Sequence, residues 1–105
     1  MAINYRNYLS PSITTSTVVY NPTASNIQST LIGLLISNTS NTTAVVTVTM
    51  SSGTTTASIV TNVSIAPGTS LNVIDASRII VAQNNIIKVT SSVNADVIVS
   101  AVEVT

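Results

Sequence analysis

A chain of 105 residues amounts to one domain, long enough to bury a core without covalent staples. It has no cysteine and no histidine, which excludes a disulfide framework, thiolate or imidazole metal sites, and every catalytic template built on those side chains. Charged residues are 6% of the sequence, with three Lys and Arg balancing three Asp and Glu; an ordinary soluble domain has about 25%, so phosphate-backbone binding is disfavoured and association into an assembly is favoured.

Residues 1–11 read as an N-terminal arm ahead of a domain at 12–105. Tyr5, Arg6, Tyr8 and Leu9 gather two of the three tyrosines and one of the three cations into a segment that ends at Pro11. Tyr and Arg are enriched at interface hot spots, one as a stiff amphipathic surface and the other as a multi-donor fork. These four residues are therefore the expected partner-binding site; the alternative folds the arm back over an edge of its own sheet. The segment has no apolar stretch of a signal peptide's length, and no run approaches the roughly 18 apolar residues of a membrane helix. The expectation is a soluble protein made in the cytoplasm, with neither a membrane nor a nucleic acid as partner.

Ile13 to Tyr20 is β-branched and reads as the first strand, stopped by Asn21-Pro22, with a turn at Ser25-Asn26. Thr30 to Asn38 is the longest apolar run and predicts a central strand over Leu31–Ser37. Asn38-Thr39-Ser40-Asn41 is a polar turn, after which Ala44 to Ser51 alternates, with Ala44, Val46, Val48 and Met50 on one face. Ser52-Gly53 turns the chain into Thr55–Val60, and Ala66-Pro67-Gly68 suits a type II turn. Ser70–Asp75, a short Ile79–Val81, a turn at Gln83–Asn85, Ile86–Ser91 and Asp96–Val104 complete the series. In the last of these Val97, Val99, Ala101 and Glu103 share one face, while Ile98, Val102 and Val104 share the other. Seven to eight short antiparallel strands with turn signals between them predict an all-β chain, a single β-sandwich of immunoglobulin-like or jelly-roll connectivity. The predicted core includes Leu31, Leu35, Val46, Val48, Leu71, Val73, Val89 and Val99. Three glycosylation sequons, at Asn38, Asn41 and Asn62, mark turns.

No catalytic site is expected. The glycines, Gly33, Gly53 and Gly68, stand too far apart for a phosphate loop. Asp75, Asp96 and Glu103 are the only carboxylate side chains; Asp96 and Glu103 fall on opposite faces of one strand, and too few acids are present for calcium. Neither a cofactor nor a metal is implied. Arg78 and Glu103 are the charges expected to matter; as isolated charges they read first as solvated ends of strands, and otherwise as members of an ion pair within or between subunits.

Tyr20-Asn21-Pro22, Leu31 to Asn38, Ala66-Pro67-Gly68-Thr69-Ser70-Leu71, Arg78-Ile79-Ile80-Val81 and Val99-Ser100-Ala101-Val102-Glu103 form a succession that resembles small virion proteins of tailed bacteriophages, over roughly residues 17 to 104. It departs at Asn85, where an acidic residue would be expected ahead of Ile86. The resemblance implies a structural subunit of the virion, first of all a capsid decoration or cement protein, or else a neck, collar or tail accessory protein. Its partners would be copies of itself and the major capsid or neck and tail proteins. A carbohydrate-binding adhesin module is the alternative of another class; a secreted fibre or surface-layer subunit is a third, disfavoured because no signal peptide is read in the first residues.

Overall fold

The computed structural model describes residues 3–22, 28–74 and 78–104. The turn expected at Ser25-Asn26 and the carboxylate of Asp75 lie outside them. Nine strands are described: β1 (Ile3–Ile13), β2 (Thr17–Tyr20), β3 (Gln28–Asn38), β4 (Ala44–Ser52), β5 (Thr55–Ile65), β6 (Ser70–Ile74), β7 (Ile79–Val81), β8 (Ile86–Ser91) and β9 (Ala95–Val104). The pairings between them are antiparallel. One sheet runs β1-β9-β3-β6, with β7 also paired to β3, and the other runs β2-β8-β4-β5. Their inner faces supply one apolar cluster, with Leu31, Leu34, Ile36, Val97 and Val99 from the first sheet and Val46, Val48, Ile87 and Val89 from the second. The radius of gyration, 13.6 Å, is that of a single domain of this length.

The turn chemistry follows the sequence. Pro67 and Gly68 occupy the central positions of a turn closed by Thr69 N–H donating to Ala66 O at 3.2 Å, and Gly68 has the positive φ of 72° that a type II turn demands. Gly53, at φ 61°, and Thr54 form the two-residue link between β4 and β5. The Asn38 side chain is buried and fully engaged. Its Nδ2 donates to Thr42 O and Ile65 O, while its Oδ1 accepts from the amide and hydroxyl of Ser40. An asparagine at the end of the central strand thus carries the turn that follows.

The described part of the expected arm is a strand. β1 pairs with β9 from Ile3 opposite Val104 to Ile13 opposite Ala95, so it crosses the boundary expected between residues 11 and 12. Reversed polarity hides its alternation in the sequence: Asn4, Arg6, Tyr8 and Ser10 take the inward parity, while Ile3, Tyr5 and Leu9 lie opposite Val104, Val102 and Ile98 on the outer face. β1 is an edge strand, where Pro11 is tolerated. Pro11 sits beside a register shift at which Ser12 adopts a φ of 52°. The single strand expected over Ile13 to Tyr20 is instead the end of β1, a bend and β2.

The predicted core holds at Leu31, Val46, Val48, Val89 and Val99, all buried. Leu71 and Val73 are partly buried against it. Leu35 is not in it: the residues buried on that stretch are Leu34 and Ile36.

Candidate functional site

Two features meet on β1, one on each side of it. On the inner side, Glu103 of β9 is the hub. Its Oε2 accepts hydrogen bonds from Tyr8 Oη and Tyr20 Oη, each at 2.7 Å, and its Oε1 lies 3.2 Å from Arg6 Nε. Tyr20 Oη is also 2.8 Å from Ser29 Oγ. A phenol has one proton, and an ionised carboxylate can only accept it; Tyr20 therefore donates to Glu103 and accepts from the Ser29 hydroxyl. The Tyr8 and Tyr20 rings pack at 5.1 Å between centroids and 58° between planes. Four strands, β1, β2, β3 and β9, are tied through one carboxylate, and the β2 residue belongs to the other sheet.

This constellation is built for cohesion. Tyr20, Ser29 and Glu103 are each at most 5% exposed, so no substrate reaches the carboxylate. No buried side-chain polar atom among the described residues is left without a partner. Burial first, and the hydrogen bond to Glu103 next, push the Tyr8 phenol above the ordinary tyrosine value. Burial pushes Tyr20 up more strongly, with the Ser29 donor opposing and Glu103 reinforcing. Unfolded phenols begin to lose protons near pH 10, while the folded ones hold theirs. Their contribution to stability is therefore whole below about pH 10 and is lost as pH rises from there towards the folded values. Denaturant midpoints measured from pH 8 to 11 are expected to fall, and the fall should be shallower in Tyr20→Phe; an equal slope in both proteins would exclude this account.

On the outer side, the same strand presents apolar surface. Tyr5 is 78% exposed, Leu9 67% and Ile3 61%. Ile32, Ile80 and Ile98 complete the set, so six of the eight exposed large hydrophobic residues among those described belong to the five-stranded sheet. A groove of about 520 Å³ runs between Ile3, Tyr5, Ile32 and Val102, with Arg78 on its wall. A second, of about 240 Å³, lies at the other end beside Leu9, Pro11, Ile98 and Asp96. The four expected partner-binding residues are thus divided by the pleat: Tyr5 and Leu9 face out, whereas Tyr8 and Arg6 engage Glu103. Sequence reasoning missed Tyr20 and Ser29 as partners of Glu103; a lone Tyr closing a β-branched run ahead of Asn-Pro was the available signal. Glu103 is not a solvated strand end: it is buried, because its face of β9 packs inward, and it forms an ion pair within the subunit, with Arg6 and not Arg78. Among the described residues no three His, Cys, Asp or Glu side chains cluster to hold a metal.

No known protein family and no curated protein matches the sequence. A solved structure of Bacillus endospore appendages, described as a family of disulfide-linked pili, is similar in fold: TM-score 0.56, 18% identity, covering 99% of this chain and 87% of that one. That likeness overturns the virion expectation, for head, neck and tail alike, because a solved structure similar in fold over almost the whole chain is of pili that form Bacillus endospore appendages and not of a phage particle. The physical reason lies in the motifs that suggested a virion. Asn38 pins a turn and Glu103 ties strands together, so both describe how this β fold is held, not where it is used.

Proposed function

We propose that this chain is a non-enzymatic structural subunit that assembles with copies of itself, by pairing of sheet edges, into an extended fibre or array. The observation that carries the reading is β5. It is an edge strand of eleven residues, Thr55–Ile65, paired among the described strands with β4 alone and containing neither a charged residue nor a proline. Edges of monomeric proteins are normally blunted by Lys, Pro or brevity, and this one is not. A head-to-tail contact of one edge with a different edge of the next copy does not close, and it yields filaments. The likeness to a pilus subunit supports the same reading. These 105 residues contain no cysteine, so contacts between copies of them are not the disulfides of those pili.

The proposed connectivity is a jelly-roll sandwich. It is supported by the strand order: β1-β9-β3-β6 in one sheet and β2-β8-β4-β5 in the other is the arrangement that two Greek keys produce, with β7 as an added strand.

Electron microscopy of the purified protein at rising concentration tests the function. Filaments or ordered arrays are expected, and Ser58→Lys with Thr61→Lys, both exposed on β5, should abolish them while leaving the β circular-dichroism spectrum unchanged. A protein that stays unassembled at every concentration would overturn the proposal.

A further inference from the structure

We propose that β1 is exchanged between two copies of this chain, so that β1 of each copy pairs with β9 of the other. This rests on the reading of the chain as a self-assembling subunit and adds a contact that pairing through β5 does not make. The slot beside β9 is specified by one buried group. Glu103 is 5% exposed and is met by Tyr8 and Arg6 of β1 and by Tyr20 of β2. Without β1 the carboxylate keeps Tyr20 but loses the other phenol and the guanidinium, which leaves a buried charge short of partners. A strand that fills the slot must bring a phenol and a cation two residues apart, both with inward parity. The β1 of a second copy brings them in the same register.

Little else ties β1 to its own sandwich. Among the described strands it pairs with β9 alone. Its inward positions include Asn4, Arg6 and Ser10, and its one fully buried apolar side chain is Ile13, at the last position of the strand. β1 can therefore leave one copy and enter another without carrying a large piece of core with it.

The link to β2 decides which copy's strand fills the slot. Closed and exchanged forms make the same contacts between β1 and β9, so their balance turns on that link and on concentration. The link is residues 14–16, and it passes from one sheet to the other. From Ile13 to Thr17 the chain reaches at most about 14 Å, against about 10 Å between packed sheets, so there is little slack. β1 enters the link through Pro11, a register shift and Ser12 at a φ of 52°, a left-handed conformation unfavourable to a residue with a Cβ. The Ser12 amide is held there by donating to Asp96 Oδ1 at 2.8 Å. A short link under strain favours exchange, because the strain is released when the link runs straight into a neighbour. Straightened, residues 11–16 span about 20 Å, enough to reach the β9 edge of a copy lying against the β1 and β2 side. β5 lies at the opposite side, where it meets β6 while β1 meets β2, so its edge stays free for the assembly.

Two variants of the full chain, Asn7→Cys and Ser100→Cys, read the exchange. Asn7 lies opposite Ser100 across the β1–β9 pair, and such residues have Cα atoms about 4.5 to 5.5 Å apart, within disulfide reach. Each protein has a single thiol, so no bridge can close within a chain. Refolded together at high concentration and oxidised, the two should give disulfide-linked heterodimers, resolved by mass, at least about tenfold above either homodimer. Should a cysteine at either position alter the circular-dichroism spectrum, Leu9→Cys with Ile98→Cys, opposite in the same register and exposed, reads the same contact. Four residues of Gly and Ser inserted after Thr15 in both proteins should lower the heterodimer yield at least about threefold, because β1 then closes onto its own sheet without strain. Absence of heterodimers, homodimers as abundant as heterodimers, or a yield that the longer link leaves unchanged overturns the exchange. Filaments of the unmodified chain without heterodimers from the paired variants would leave the proposed function standing and strike the exchange. Heterodimers without filaments would do the opposite.

Discussion

Replacing Glu103 by alanine is expected to destabilise the fold by about 3 to 5 kcal/mol. Hydrogen bonds to a charged acceptor contribute about 1.5 to 3 kcal/mol each, and here two phenols lose theirs at once. Both bonds are 2.7 Å long, and the Tyr20 ring has no route to water that would compensate. The Arg6 pair adds little, because the arginine side chain is 55% exposed and screened by solvent; Arg6→Ala alone should cost under about 1 kcal/mol. Glu103→Gln keeps an acceptor and should fall in between. Urea denaturation of the three variants checks the ranking. A Glu103→Ala cost no larger than that of Arg6→Ala would mean that the carboxylate does not organise the junction of β1, β2 and β9.

The same residue shows what can be read from the chain and what cannot. That Glu103 shares a face with Val97, Val99 and Ala101 follows from period two alone, and the structure places all four inside. Its partners are out of reach of any local pattern. Tyr8 is 95 residues away and Tyr20 is 83, and only the closing of β1 onto β9, with β2 across the core, brings them together. Residues 1–11 read as an arm for the same cause. A strand whose inward positions are Asn4, Arg6, Tyr8 and Ser10 looks unpatterned until a buried carboxylate is known to wait for them. The outer site is half legible. Residue type alone picks out Tyr5 and Leu9, but Ile32, Ile80 and Ile98 join them only through the register of β9, β3 and β7.

Leu34→Ala and Leu35→Ala, at neighbouring positions of one strand, are expected to differ severalfold in cost. Strict alternation from Leu31 would send Gly33 and Leu35 inward, and that logic puts Leu35 in the core. β3 breaks the alternation with a bulge: Leu31 lies opposite Ala101 and Gly33 opposite Ser100, so Ile32 is an extra residue. Parity changes there. Leu31 faces in, and beyond the bulge Leu34, Ile36 and Asn38 do so while Leu35 turns out, opposite Ile98. Gly33 at this point marks the irregularity, as an isolated glycine within a strand pattern often does. Leu34, at 1% exposure, should cost about 3 to 5 kcal/mol when cut to alanine, the sum of lost transfer free energy and an unfilled cavity. Leu35, half-buried on the outer face, should cost under about 1.5 kcal/mol in the isolated subunit, where burial of the side chain is only partial. Denaturant unfolding of both variants at low concentration decides the matter: equal losses, or a larger one at Leu35, would put the bulge elsewhere in the strand and return Leu35 to the core.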